Sequence, residues 1–168
     1  MANRNINAIE LLTEQHEEVA DLFEEFEAAS NDRKKADLFA SIADKLAIHA
    51  RIEEEYFYPA VRAKKTEDMV LEAFVEHASI KRLLADLLKG TPGQAQFDAQ
   101  MKVLKEQVEH HVQEEENELF PTASEVLDDE EILALAQEMA ALQTELEEEG
   151  EPRKYIPEEV AAAEVSPS

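Results

Sequence analysis

Two segments of the chain share one pattern of residues. Residues 49–59 read HARIEEEYFYP and residues 111–121 read HVQEEENELFP; each has a histidine, glutamates at the fourth and fifth positions after it, and a proline at the tenth. Side chains four residues apart lie one above the other on a helix. The spacing therefore predicts that each segment is helical and directs an imidazole and a carboxylate at one point. The pairs are His49 with Glu53 and His111 with Glu115.

Capping and stop signals divide residues 6–122 into four helices. The starts fall near Asn5 or Asn7, Asp32 or Arg33, Thr66 and residues 93–95, and the ends near Ala29, Pro59 or a few residues later, Gly90 and Pro121. Each predicted helix has an apolar stripe at spacings of three and four, and one histidine interrupts each stripe. These histidines are His16, His49, His77 and His111. A buried imidazole without a partner costs free energy, so each of them needs one.

The neighbouring His110 is rotated about 100° from its stripe, which predicts a surface or supporting position. The layout of helices one and two repeats in helices three and four, because His16 precedes His49 by 33 residues and His77 precedes His111 by 34. Short connections between such helices predict an up-down-up-down antiparallel four-helix bundle, with the four histidines at one depth.

Composition supports an all-α protein, since only 3 Gly and no Trp occur among 168 residues. A net charge of −24 makes nucleic acid an improbable partner because it would be repelled over most of the surface. Cysteine is absent, which excludes disulfides and thiolate metal sites. Without a long apolar run or a secretory signal, the sequence predicts a cytoplasmic protein with no membrane segment.

The chain after Pro121 divides into two parts. Residues 128–148 have apolar residues at helical spacing and predict a short additional helix, whereas residues 150–168 are polar, contain several prolines and predict a disordered tail. We therefore expect one domain over residues 1–149, with its core at 6–122, followed by the tail.

Six side chains are expected to meet at one level of the bundle: His16, His49, Glu53, His77, His111 and Glu115. A mixed imidazole and carboxylate set suits iron, manganese or zinc. Six ligands exceed what one ion usually takes from side chains, and two ions can share carboxylates, so the set favours a dinuclear site. Tyr56 lies on the same stripe; it is either a packed core tyrosine or a ligand, proton donor or electron donor.

These residues resemble those of the hemerythrin-like, or HHE cation-binding, proteins over residues 6–122. The resemblance rests on His16 in LLTEQHEEV, His77 in VEHASIKRLL and the two repeated segments. It implies a four-helix bundle with two iron ions, an oxo or hydroxo bridge between them, and the six side chains named above as ligands.

One departure from the family bears on function. The oxygen-carrying hemerythrins have a fifth histidine one turn from the histidine of the third helix, and here the corresponding positions are Ala73 and Lys81. The missing imidazole argues against reversible dioxygen transport. It favours a reaction with peroxide, dioxygen or nitric oxide in stress defence, with catalase-like or oxidase-like turnover and an unidentified reductase or protein partner.

Three other functions remain open. The chain could be a non-catalytic dioxygen carrier or an iron sensor or storage protein, in which metal occupancy orders the bundle. It could also be a helical adaptor with incidental histidines. The first two would bind iron without consuming oxidant, and the third would bind no metal in stoichiometric amount.

Overall fold

The structure, a computed structural model, describes residues 5–165, and at residues 164 and 165 only the backbone. All regular secondary structure in this range is helical. The α-helices are α1 (Ala8–Ala28), α2 (Asp32–Ile52), α3 (Tyr58–Val61), α4 (Glu67–Leu88), α5 (Ala95–Glu114), α6 (Phe120–Val126), α7 (Asp129–Glu149) and α8 (Ile156–Val165). The predicted all-α class is confirmed. None of the helices within residues 5–165 is both long enough and apolar enough to cross a membrane.

The helix starts follow the capping signals in the sequence. The side chain of Asn7 accepts a hydrogen bond from the backbone N–H of Glu10, and Asn31 accepts one from Lys34. Both bonds satisfy N–H groups that the first turn of a helix leaves without a partner. The predicted starts of α1, α2, α4 and α5 agree with the structure to within a few residues.

The two repeated segments each contain a widened, π-helical turn, at Glu53–Phe57 and Glu115–Leu119. In each turn a backbone N–H reaches the carbonyl five residues earlier, from Tyr58 to Glu53 and from Phe120 to Glu115. The prolines at the tenth positions explain the widening, because a proline lacks an N–H and its ring collides with the carbonyl four residues before it. Each extra residue rotates the following side chains by about 100° relative to an unbroken α-helix.

A layer of buried polar residues separates two apolar clusters. We call this layer the polar layer; it consists of His16, His49, Glu53, His77, His111 and Glu115, all at most 7% exposed. One cluster contains Leu12, Ile52, Val70 and Leu119, and the other contains Val19, Leu46, Ile80 and Val108. Helices α1, α2, α4 and α5, the last with the π-helical turn that follows it, therefore each pass from one cluster through the polar layer into the other. Apolar packing on both sides fixes the depth at which the polar groups meet.

The C-terminal segment closes over the other helices. Helix α7 corresponds to the additional helix predicted at residues 128–148. It packs against α1 and α2, and α8 packs against α4. The prediction of a disordered tail is wrong for residues 152–165, where a 3₁₀ turn (Pro152–Tyr155) leads into α8. Pro152 and Ile156 are buried, and Arg153 pairs with Asp44 at 2.7 Å. These contacts hold the segment at single positions without a helical period, so the sequence pattern did not reveal them. Residues 166–168 of the predicted tail lie outside the described residues.

Candidate metal centre

All six side chains predicted as ligands lie in the polar layer. Their nitrogen and oxygen atoms form two groups, and within each group the atoms lie within 4.8 Å of one another. The first group contains His16, His49, Glu53 and Glu115, and the second contains Glu53, His77 and His111. Because Glu53 belongs to both, the groups are adjacent parts of one centre.

The imidazoles meet in pairs through their Nε2 atoms. The Nε2 atoms of His16 and His49 are 3.2 Å apart, and those of His77 and His111 are 3.1 Å apart. A metal ion binds imidazole nitrogen at about 2.0–2.1 Å, so two nitrogens in adjacent positions on one ion are about 3 Å apart. The spacing of both pairs fits this requirement.

The two carboxylates lie between the imidazole pairs. Glu53 Oε1 is 3.1 Å from Nε2 of His49 and 3.0 Å from Nε2 of His77. Glu115 Oε1 is 3.3 Å from Nε2 of His16 and 3.4 Å from Nε2 of His111. Each glutamate therefore contacts one histidine of each pair, which is the position of a carboxylate that bridges two ions.

The outer edge of every imidazole is held by a hydrogen-bond acceptor. Three of the Nδ1 atoms lie 2.8–2.9 Å from a carboxylate oxygen, and the fourth lies 2.7 Å from an amide oxygen. The pairs are His16 with Glu116, His49 with Gln15, His77 with Glu54 and His111 with Glu76. An ionised carboxylate only accepts, so Nδ1 donates its proton to it. In the neutral imidazoles the Nε2 lone pairs then point into the polar layer, as in metal-binding histidines.

Two buried carboxylate oxygens in the layer have no hydrogen-bond partner: Glu53 Oε2 and Glu115 Oε1. A buried carboxylate oxygen without a hydrogen-bond partner costs free energy, and so do two Nε2 lone pairs that face each other within an imidazole pair. A cation within the layer removes both costs. The donor set of four imidazole nitrogens and two carboxylates suits iron, manganese or zinc.

The pKa values of these groups reflect the same concentration of negative charge. Burial lowers the pKa of His111, but the charge of Glu115, the nearby Glu53 carboxylate and the hydrogen bond that His111 donates to Glu76 outweigh it and raise the pKa well above its usual value. Burial raises the pKa of Glu53, yet the charge of His49 and hydrogen bonds from the histidines hold it well below its usual value. Glu53 therefore remains charged and attracts either protons or a metal ion.

The tyrosine at the centre is Tyr58, whereas the sequence pattern pointed to Tyr56. The Tyr58 hydroxyl donates to Glu115 Oε2 at 2.6 Å and lies 3.1 Å from Glu53 Oε1 and from His77 Nε2. Burial, together with the charges of Glu53 and Glu115, raises the pKa of Tyr58 well above its usual value, so the hydroxyl keeps its proton. Tyr56 is half-buried and packs against an apolar cluster. The π-helical turn explains the difference, because it rotates Tyr58 into the layer.

The sequence also did not reveal the residues that hold the imidazoles. Gln15 and Glu76 each precede a histidine of an apolar stripe by one residue, and Glu54 and Glu116 each follow a predicted ligand by one residue. These positions lie off the stripes, where a glutamate or glutamine normally contacts solvent. Their matching offsets in the two halves of the repeat are the signal that could have identified them.

A cleft with a volume of about 560 Å³ opens beside the polar layer at His77. It lies between α2, α4 and α8, and its lining includes Arg51, Lys81 and Arg82. Lys81 joins the two sides, with Nζ 2.8 Å from Glu54 and 3.2 Å from Glu159 of α8. Small molecules can therefore approach one edge of the centre.

Comparisons with known proteins agree with this geometry. A model of the family described as Hemerythrin HHE cation binding domain matches residues 7–123, which include the whole polar layer. The crystal structure of an HHE cation binding domain-containing protein from Mycobacterium kansasii, a Rv2633c homolog, is similar with a TM-score of 0.74 and 28% sequence identity. The likeness covers 84% of this chain and 87% of that chain.

Two curated relatives have similar sequences. The uncharacterized protein Rv2633c of Mycobacterium tuberculosis is 30% identical over 139 residues, which are 81% of this chain and 84% of that protein. A DNA nickase of Nostoc sp. is 28% identical over 145 residues, which are 86% of this chain but 41% of the nickase, so the chain spans less than half of the nickase's length. The predicted resemblance is confirmed, and the chain belongs to the hemerythrin HHE cation binding domain family.

Proposed function

We propose that the chain is a non-haem di-iron protein that reacts with small oxidants, meaning peroxide, dioxygen or nitric oxide. In this proposal α1, α2, α4 and α5 form an up-down-up-down bundle around the polar layer. His16 and His49 would hold one ion, His77 and His111 would hold the other, and Glu53 and Glu115 would contact both. The proposed cofactor is two irons with an oxo or hydroxo bridge, and when bound it would supply electron transfer to the oxidant.

The observation that carries the proposal is the orientation of the four imidazoles. Each of the four imidazoles has a hydrogen-bond acceptor at Nδ1 and directs Nε2 inward, toward the two carboxylates. A hydrogen-bonded polar core would pair donors with acceptors, whereas this layer concentrates acceptors. Only a cation or several bound protons can balance it.

Tyr58 has a separate role in the proposal. Its hydroxyl lies 3.1 Å from Nε2 of His77 and 3.4 Å from Nε2 of His111. Because its pKa is raised, the hydroxyl keeps a proton that it can donate to a reduced oxidant. A proton donor at this edge favours oxidant reduction over reversible dioxygen binding.

Peroxide turnover tests the proposal. We expect purified protein to contain about two irons per chain and to consume a molar excess of peroxide without loss of iron. A single stoichiometric reaction followed by bleaching would contradict catalytic turnover. A long-lived dioxygen adduct without turnover would instead favour a carrier.

An iron sensor is the second candidate, because a chain of contacts joins the polar layer to α8. His77 Nδ1 is 2.9 Å from Glu54, Glu54 is 2.8 Å from Lys81, and Lys81 is 3.2 Å from Glu159. A change in metal occupancy at His77 could therefore alter the docking of α8. Hydrogen exchange with and without iron tests the sensor, which requires that exchange in the metal-free protein quickens more in α8 than in the other helices.

We do not extend nicking of DNA to this chain. The matched region is only 41% of the Nostoc nickase. The net charge of −24 also opposes contact with a phosphate backbone.

A further inference from the structure

A second group of metal-binding side chains lies at the surface, outside the polar layer. It consists of Glu76 on α4 and His110 and Glu114 on α5, whose ligand atoms lie within 4.8 Å of one another. His110 Nε2 is 3.0 Å from Glu114 Oε1 and 3.5 Å from Glu76 Oε2. The His110 side chain is 65% exposed, so an ion can reach the group directly from solvent.

Glu76 belongs to this group and also supports the buried centre. Its Oε1 atom accepts from Nδ1 of His111 at 2.8 Å, while its Oε2 atom faces His110. One carboxylate therefore separates the surface group from an imidazole of the polar layer.

A narrow crevice leads from the same place toward the polar layer. Five glutamates line it, and they range from exposed through half-buried to fully buried: Glu72, Glu118, Glu76, Glu114 and Glu115. None of the described residues that line it is basic. Its volume of about 20 Å³ has room for a single water or ion and excludes larger molecules.

The buried end of the crevice has an unpartnered ligand. Glu115 is 2% exposed, and its Oε1 atom has no hydrogen-bond partner. This oxygen is one of the atoms that face the polar layer. The crevice therefore joins two of the surface ligands, Glu76 and Glu114, to a buried carboxylate, and every charged side chain that lines it is acidic, which favours a cation.

We propose that Glu76, His110 and Glu114 bind a divalent cation at the surface and pass it along this crevice to the polar layer. A set of one imidazole and two carboxylates suits first-row divalent metals, including ferrous iron. Its three ligands and its exposure suit transient binding. The passage of the ion rests on the proposed function, whereas the binding of the ion at the surface does not.

Cobalt binding tests the surface site. Protein whose buried centre is already filled with iron should bind one further Co²⁺ per chain in a calorimetric titration. The double variant His110→Ala with Glu114→Gln should lose this ion, and Glu109→Gln should retain it, because it removes the same charge from the same helix outside the group. An iron-filled wild type that binds no further Co²⁺, or a double variant that still binds it, would overturn the site and identify the group as an ordinary surface ion-pair network.

Iron uptake tests the passage. When ferrous iron is mixed with metal-free protein, the double variant should load about tenfold more slowly than wild type and than Glu109→Gln, because it lacks the local attraction for the ion. Its final iron content should equal that of wild type. Equal loading rates would overturn the passage and leave the di-iron proposal intact. A wild type that binds Co²⁺ at the surface but retains no iron would instead overturn the di-iron proposal and the passage with it, and would leave the surface site intact.

Discussion

The two halves of the repeat build the polar layer from equivalent residues, and they differ at two positions that touch it. Residues of the first half, through α1, α2 and the first π-helical turn, correspond to residues of the second half, through α4, α5 and the second turn. The equivalent pairs are His16 and His77, His49 and His111, Glu53 and Glu115, Glu54 and Glu116, Gln15 and Glu76, and Tyr58 and Phe120. Two pairs combine different residue types, Gln15 with Glu76 and Tyr58 with Phe120.

Two of the four supporting contacts cross between the halves. Glu116 of the second half holds His16 of the first, and Glu54 of the first half holds His77 of the second. The rings at the ninth position after the repeat histidine cross in the same way. Tyr58 lies 5.4 Å from the His77 ring, and Phe120 stacks 5.9 Å from the His16 ring. Neither half could form its part of the layer alone.

The comparison teaches that the repeat supplies the ligands, and single side chains make the centre asymmetric. Tyr58 places a hydroxyl at the His77 and His111 pair, whereas Phe120 places only carbon at the His16 and His49 pair. The Tyr58 hydroxyl reaches Glu53 Oε1 and Glu115 Oε2, and the other oxygen of each carboxylate, Glu53 Oε2 and Glu115 Oε1, has no hydrogen-bond partner. We therefore expect the two ions to share a scaffold and to differ in reactivity.

The largest effect is expected from Glu53→Gln, because Glu53 belongs to both ligand groups. A neutral amide is a weaker ligand than a carboxylate, so purified Glu53→Gln should retain less than about one ion per chain. Metal analysis measures this. Glu55→Gln is the control, since Glu55 lies two residues away, pairs with Arg51 and is 44% exposed. Full metal content in Glu53→Gln would show that neither ion depends on the shared carboxylate.

The second-largest effect is expected from removal of the metal, which should lower the stability of the folded state. An ion at 100 times its dissociation constant stabilises the folded state by about 2.7 kcal/mol. For a chain of this size, each kcal/mol shifts the melting temperature by about 2–4 °C. Chelation should therefore lower the melting temperature by about 5–10 °C, and scanning calorimetry measures it. An unchanged melting curve would contradict ligands drawn from helices in both halves.

Tyr58→Phe gives the first half the side chain of the second. The ring still fills its place, and the six ligands are untouched, so metal content should stay the same. Loss of a positioned proton donor should slow peroxide turnover about a hundredfold. Steady-state kinetics on iron-matched samples measures this, with Tyr56→Phe as the control. Turnover equal to wild type would remove Tyr58 from the reaction.

Phe120→Tyr makes the opposite change and should have the smallest effect. By the equivalence with Tyr58, the added hydroxyl would face Glu115 Oε1 and Glu53 Oε2, the two oxygens without partners. A hydrogen bond to a charged group contributes about 1.5–3 kcal/mol, and overpacking offsets part of it. We expect the metal-free protein to be more stable by about 1 kcal/mol, measured by urea unfolding. A less stable variant would mean that the two halves are not equivalent at this position.

Much of this arrangement could be predicted from local pattern. Helix starts follow from capping residues such as Asn7, and the six ligands follow from stripes interrupted by His and Glu at spacings of three and four. Tyr58 could not be predicted in this way, because an α-helical period places Tyr56 on the stripe and the π-helical turn depends on Pro59. Helix α8 was missed because Pro152 and Ile156 anchor it through tertiary contacts. The sequence pattern thus describes regular helices well and their irregular turns poorly.

Metal stoichiometry tests the central claim most directly. Freshly purified wild type, His49→Ala and His111→Ala should be compared for iron per chain, with one histidine removed from each half. The account predicts about two irons in wild type and a clear loss in both variants, because each removes a nitrogen from a different pair. Wild type without stoichiometric metal, or variants that keep the full content, would contradict a di-iron centre built from both halves.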